Sequence, residues 1–381
     1  MMIGFTLIDR YILREYIYTA VITCFVILGV FIVFDGFTNL EEFFRAAEKH
    51  GGLLPLLLRY YACQSVMVFD RSSALIMLIA AMFTVTWIQR HQEMTAILAA
   101  GIPHRRVLIP IILPSVVITL LAVGNREVVM PQFRDQLARR PQDLVGDRAL
   151  PLVPRYDKQT NILFRGSACY REGKRITEPN LLLPSELAKF GRQLSAEEGF
   201  FLPGSKDHPS GYLLRKVRRP ANLKEIPSFW KNGEPVILTP QDTPWLQPDE
   251  CFVVSSMDFE QLCGGAAFRQ FSSTASLIRA LYNPSLDFGA DIRVAIHSRI
   301  VQPLADLTLL FLGLPLVIQR ENRNVFAAIG LCALLAGGFF VVSIIFQQLG
   351  SAYYIPPALG AWGPLLLFVP LAAFMSDYWV E

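Results

Sequence analysis

The sequence predicts an α-helical membrane protein with six transmembrane helices and one inserted all-β domain, jelly-roll-like in its strand spacing. Three observations lead there. Apolar residues form 52% of the 381-residue chain and charged residues only 18%, below the quarter usual for soluble domains. Six stretches reach the roughly 20 apolar residues that a crossing helix needs. One long polar interval, about 127–290, follows the third stretch and carries short β-prone runs. A net charge of +3 is too small to argue for a nucleic-acid partner.

The first span is Tyr16 to Phe34, uncharged throughout. The start before it, MMIGFTLIDRYILREYIY, is amphipathic, and the apolar run after it is too long for the h-region of a cleavable signal. It reads as a surface helix leading into the span. Apolar sequence runs from Tyr60 to Gln89, interrupted by Asp70-Arg71, so Ser72 to Ile88 is the expected second span. The third is Val107 to Asn125. The fourth is Ile300 to Ile318, with Asp306 inside it. From Val325 to Ser376 no residue is charged, and Gly350, Pro356 and Pro357 divide the stretch into Val325 to Leu349 and Ala358 to Ser376. The expected organisation is therefore a helical half at 1–126, a β domain at 127–290, and a second helical half at 291–381.

Lys and Arg in short loops set orientation. Arg10, Arg14, Arg90, Arg105, Arg106, Arg320 and Arg323 fall on one side; on the other, Arg45, Lys49 and Arg59 are offset by Asp35, Glu41, Glu42 and Glu48. The first side is expected to be cytoplasmic, with both termini there and the 127–290 insert periplasmic. In that insert, Asn161 to Tyr170, Gly211 to Val217, Pro235 to Leu238 and Cys251 to Met257 read as strands, and Thr274 to Tyr282 as a short helix. Cys24, Cys63 and Cys332 lie in apolar runs as small core residues. Cys169, Cys251 and Cys263 allow one disulfide with one thiol left over, and spacing does not choose the pair.

Enzyme chemistry finds no support. His50, His91, His104, His208 and His297 form no HExxH, no GxSxG appears, and no GxxxxGK[ST] loop exists to cradle a nucleotide. No cofactor is expected.

The segment TWIQRHQEMTAILAAGIPHRRVLIP, residues 86–110, carries Glu93, Thr95, Ala96, Ala99, Ala100, Gly101, Ile102 and Pro110 in a distinctive order. It resembles the cytoplasmic loop of the lipopolysaccharide export permeases, the LptF/LptG (YjgP/YjgQ) family. The start LIDRYILREYI, the Asn125-Arg126-Glu127-Val128-Val129-Met130-Pro131 exit, and Arg299, Pro303, Gly313, Pro315, Pro356, Pro357, Trp362 and Pro364 are similar to the family's other signatures. Departures are Ser73-Ala74, where the family has Leu-Pro, Val317 for Gly and Leu365 for Asn. Either of the two paralogous permeases fits.

The resemblance implies a permease subunit of an ABC-type transporter that extracts lipopolysaccharide from the inner membrane and passes it to a periplasmic bridge. The implied partners are a cytoplasmic ABC ATPase dimer that binds the ATP, a paralogous six-span permease, and a single-span periplasmic bridge component. Two other readings compete. One is the membrane subunit of another ABC-type lipid or lipoprotein exporter or mechanotransmitter, which usually has four spans; the other is a scaffold without transport.

Candidate residues follow, each with a plain structural alternative. Glu93, Thr95, Ala96, Ala99, Ala100 and Gly101, in loop 88–106, form a coupling helix for the ATPase, or else a solvated helix end with a glycine stop. Arg45, Arg71, Arg126 and Arg134 are candidate lipid-phosphate contacts through bidentate guanidinium pairing, or else snorkel to headgroups; Asp70-Arg71 also reads as a local ion pair. Phe25, Phe31 and Phe34 with Phe339, Phe340 and Phe346 could line an acyl cavity at a lateral gate, with Gly337-Gly338 permitting close packing, or else they simply face lipid and neighbouring helices. Asp306, which costs about 2.5–3.5 kcal/mol at a bilayer centre, is either a packed polar residue or part of an aqueous cavity.

Overall fold

The computed structural model describes residues 7–48, 52–144, 149–150, 152–205, 208–263, 265–283, 285, 289–318 and 325–376. Lys49, Arg320 and Arg323, used above for the charge bias, lie outside the described residues. The chain divides into two compact units, Met1–Leu137 with Gly289–Glu381, and Ala138–Phe288.

In the first unit α1 is Leu7–Thr38, α2 Leu40–Ala47, α3 Leu53–Arg90, α4 Glu93–Ala99 and α5 His104–Gly124. A π-turn, Asn125–Val129, carries α5 on into the short α6, Met130–Gln132, and α7, Arg134–Leu137. Among the described residues six helical stretches are long and apolar enough to cross a membrane: Leu7–Thr38, Leu53–Arg90, His104–Gln132, Ala290–Ile318, Gly330–Ser351 and Pro357–Met375.

The ends of the first two spans differ from the sequence expectation. Among the described residues the helix expected to lead into the first span and the span itself are one continuous helix from Leu7, with no break at Tyr16. The second span is not confined to Ser72 to Ile88. Asp70-Arg71 lies within an unbroken 38-residue helix, because a charge that finds a partner leaves the backbone ladder intact.

Packing divides the spans. Central α3 contacts α1, α5 and the later helices. Over half of its apolar window is buried, 56%, against 11% for α1 and 17% for Gly330–Ser351. Ile12, Tyr16, Ala81, Val85, Ile88, Met94, Val107, Leu108 and Ile111 share one core with Leu309, Leu312 and Phe339. Tyr16 Oη and Ser115 Oγ lie 2.7 Å apart inside it.

Among its described residues the second unit contains an all-antiparallel sheet of ten strands. These are β1 Arg155–Asp157, β2 Ile162–Arg165, β3 Ala168–Tyr170, β4 Arg175–Thr177, β5 Asn180–Leu182, β6 Gln193–Leu202, β7 Gly211–Arg219, β8 Phe229–Lys231, β9 Glu234–Leu238 and β10 Cys251–Val254. The order is β1-β2-β5-β6-β7-β10-β9-β8, with β4 between β3 and β6. Strands β2 and β3 are two halves of the single strand expected from 161 to 170, bent at Gly166-Ser167; their partners β5 and β4 bend at Glu178-Pro179. Two short strands, β1 and β8, end the pairing order and leave Tyr156 and Trp230 exposed.

Two short helices that were not read from the sequence lie ahead of the expected one at Thr274 to Tyr282. α8 Phe259–Cys263 and α9 Gly265–Phe271 precede α10, Thr274–Leu281. The first unit then resumes with α11 Ala290–Ile318, α12 Val325–Ser351 and α13 Pro357–Ser376. Gly313 on α11 is needed for packing, since a β-carbon there would collide with Leu78 of α3.

Cys169 of β3 and Cys263 of α8 form a disulfide with Cα atoms 6.2 Å apart, leaving Cys251 buried and free.

Candidate functional site

The 88–106 segment folds as an elbow between α3 and α5. Gln92 takes the left-handed conformation, φ 62°, and turns the chain into α4. At the other end Gly101 has φ 79° with nothing near a would-be β-carbon. Its N–H donates to Leu98 O at 2.9 Å, and Ile102 N–H donates to Ile97 O at 3.2 Å. This pair of bonds is a complete Schellman stop, which favours glycine at the left-handed position.

Seven residues make two turns, and the sequence splits them by face. Met94 is 6% exposed and joins the membrane-unit core, with Ile97 three residues on packed against it. Thr95, Ala96, Leu98, Ala99 and Ala100 face outward. Four of the six predicted coupling residues, Thr95, Ala96, Ala99 and Ala100, thus share the exposed face, which ends on Gly101.

Glu93 is half-buried at the edge of that surface, where Tyr11 of α1 donates its hydroxyl at 3.2 Å. It is the sole acidic residue between 86 and 106. Arg10, Arg14, Arg90, Arg105 and Arg106 are exposed at the same end of the helices. Gln89 Nε2 donates to Val317 O and Ile318 O at 3.2 and 3.3 Å, tying the end of α3 to the end of α11. Sequence reasoning missed Tyr11, Met94 and Ile97. The i, i+3 apolar pair 94/97 was the available signal for the buried face.

A second constellation lies deep among α3, α5 and α11. Arg126, on the π-turn, donates from Nε to Asp70 Oδ1 at 2.9 Å, with Nη2 at 2.8 Å from the same oxygen. Its Nη1 donates to Gln302 Oε1 at 3.2 Å. Asp306 is 5% exposed, with Ser73 Oγ at 3.5 Å from its carboxylate. Asn125 Nδ2 donates to Val66 O at 2.9 Å, anchoring the π-turn to α3. The local Asp70–Arg71 pair read from the sequence is corrected: adjacent helical residues do not face each other, Arg71 is exposed, and Asp70 takes Arg126 instead.

The four candidate phosphate contacts therefore differ. Arg126 is buried in its ion pair, Arg71 is exposed, Arg45 pairs with Glu41, and Arg134 is half-buried with Asp135 Oδ1 3.8 Å away.

The aromatic candidates also separate. Phe25 and Phe34 are 68% and 72% exposed on α1, while Phe31 packs edge-on to Tyr61. Phe339 is buried against Phe340 and Phe368, and Phe346 packs where Gly363 leaves room. Among the described residues, neither Gly337 nor Gly338 has an atom within 4 Å of a would-be β-carbon. Among the described residues no His, Cys, Asp and Glu group is arranged to hold a metal.

Residues 10–378 match the family model described as "Lipopolysaccharide export system permease LptF/LptG". No curated protein matches the chain.

Proposed function

The chain belongs to the lipopolysaccharide export system permease family LptF/LptG, and from that premise we propose that it is one half of the transmembrane core of an ABC-type lipopolysaccharide extractor. It works in the inner membrane beside a paralogous six-span permease. Its α4 elbow docks on a cytoplasmic ATPase dimer, and its β domain delivers the lipid to a periplasmic single-span bridge component.

The observation that carries this reading is the two-faced α4. Met94 and Ile97 fix it to the membrane core while Thr95, Ala96, Ala99 and Ala100 present small exposed side chains beside Leu98. Such a surface lets a partner approach closely. Motion imposed on it passes into the core through Met94 and into α1 through Tyr11.

Energy has to enter from outside the chain. Withdrawing acyl chains costs about 0.8 kcal/mol per exposed CH₂, which reaches tens of kcal/mol for a lipid with several chains. With no phosphate-cradling loop in the sequence, ATP hydrolysis falls to the partner. Lipid enters laterally beside the weakly buried α1 and α12, closure of the ATPase collapses the cavity, and the lipid rises to the β domain. The terminal strands β1 and β8 can take a partner strand by edge addition. The Cys169–Cys263 disulfide supports a periplasmic β domain, because such bonds persist in oxidising compartments.

The test is co-purification of the ATPase with the full chain and its paralogue. Ala96→Trp and Glu93→Ala are expected to lose the ATPase while keeping the paralogue. Undiminished ATPase recovery with both variants would remove α4 from the coupling role.

A further inference from the structure

Helix α2 has three distinct sides. Successive residues rotate by about 100°, which sorts its residues and the C-cap Glu48 into contiguous sectors. Phe43 and Ala46 are 1% and 0% exposed and face the protein. Glu41, Arg45 and Glu48 are exposed on a charged sector. Between these lie Leu40 and Phe44, 46% and 55% exposed. An apolar strip on a short helix, bordered on one side by charge and on the other by protein, matches no purely aqueous surroundings.

Position along α1 says what covers that strip. The helix rises about 31 Å between Arg14 and Asp35 at about 1.5 Å per residue, against a hydrocarbon core of about 30 Å. With Arg14 at one membrane face, Asp35 reaches the other, and α2 begins five residues later. Side chains there are those of a headgroup layer. Tyr61 Oη donates to Asp35 Oδ2 at 3.2 Å, and Asn39 Nδ2 donates to Asp35 Oδ1 at 3.1 Å. Phe43 packs edge-on to Tyr60 and tilted against Tyr61, with ring centres 5.2 and 6.0 Å apart. Tyrosines of this kind concentrate at membrane–water interfaces. The exposed side of α1 leads into the strip without a break: Val30, Val33, Phe34 and Phe37 are exposed, then Leu40 and Phe44.

We propose that α2 is an interfacial helix, lying in the headgroup plane with Leu40 and Phe44 in the acyl region of the bilayer and Glu41, Arg45 and Glu48 in water. The occupant of the strip is phospholipid. Its charged sector pairs Arg45 with Glu41 and leaves Glu48, so it has no excess of basic charge to attract anionic headgroups. The contact is apolar insertion, unlike that of Lys- and Arg-rich interfacial helices. It holds the outer end of α1 at a fixed depth. The inference needs only that α1 crosses a bilayer and is independent of the transported lipid and of the ATPase.

The test places p-benzoylphenylalanine singly at positions 25, 40, 41, 44 and 45 of the full chain. The protein is reconstituted in vesicles of phosphatidylethanolamine and phosphatidylglycerol, irradiated, and weighed by intact mass spectrometry. Expected are one-phospholipid adducts at 40 and 44 at yields within about twofold of position 25, with none above background at 41 and 45. The same yields are expected in phosphatidylcholine alone. Adducts at 25 without adducts at 40 and 44 would lift α2 out of the bilayer. Crosslinks from 44 to a second protein chain would assign the strip to a protein contact. Adducts missing at 25 as well would show that α1 itself is not lipid-facing, and the proposal would fall with it. Loss of yield without phosphatidylglycerol would overturn the apolar form of the contact.

Discussion

Arg126 and Asp70, 56 residues apart in sequence, meet as a buried ion pair, with Arg126 Nη2 2.8 Å from Asp70 Oδ1 and both side chains about nine-tenths buried. The guanidinium also donates to Gln302, so one side chain ties α3, the π-turn after α5, and α11 together.

Removing one partner leaves the other charge buried alone, which costs about 3–5 kcal/mol. Arg126→Ala and Asp70→Ala are each expected to lower the unfolding temperature in detergent markedly. Asp70→Leu with Arg126→Met is expected to recover most of the loss, because a well-packed apolar pair replaces a buried ion pair at little cost. Single variants as stable as the parent chain would contradict a buried pair.

The elbow is held mainly by packing. Met94→Ala removes a core side chain and is expected to cost about 2–5 kcal/mol. Tyr11→Phe removes one exposed hydrogen bond and is expected to cost about 0.5–1.5 kcal/mol at most. Hydrogen exchange over 93–101 checks the ranking, with Met94→Ala the faster. The reverse order would make Tyr11 the anchor.

Gly101 sits at φ 79°, where a branched residue is strained by about 1–2 kcal/mol. Gly101→Val is expected to weaken ATPase recovery while leaving the Asp70–Arg126 region as protected from exchange as before. Unchanged recovery would show that the Schellman stop is dispensable.

The β domain carries a disulfide and a silent thiol. Closing a 94-residue interval contributes about 4.7 kcal/mol on the chain-entropy view, so Cys169→Ser is expected to destabilise that domain by a few kcal/mol. Burial pushes the Cys251 thiol from its ordinary value of 9.0 up to about 12. Its folded value lies above its unfolded one, so the stability it contributes is complete below pH 9 and is lost as pH rises toward 12. Cys251→Ala is expected to flatten that alkaline loss, read by near-ultraviolet dichroism. In the native protein Cys251 is expected to resist maleimide at pH 7.

Much of this architecture was legible because crossing helices announce themselves by length and apolarity. Their ends were not, because α3 continues through Asp70-Arg71 once Arg126 neutralises the carboxylate. That partner could not be read from adjacency, since a pairing 56 residues away exists only after α3 and the π-turn pack. Strand β6 escaped notice for a different reason. Its alternation of Leu194 and Ala196 breaks at Glu197-Glu198, and its register against β7 shifts between Ser195 and Ala196. The choice of Cys169 with Cys263 likewise waits on tertiary structure. At the elbow, Glu93, Gly101 and the small residues between them were visible as a motif, while Tyr11 comes from another helix.

Purified chain, paralogue and ATPase in proteoliposomes loaded with lipopolysaccharide test the central claim most directly, by measuring ATP-driven release of that lipid to an acceptor of the bridge type. The account predicts release that requires ATP and falls at least tenfold with Ala96→Trp, on the order of 1.4 kcal/mol of lost coupling, while the Phe44→Ala chain keeps its ATPase. Release that is independent of ATP, or undiminished in the Ala96→Trp complex, would contradict it.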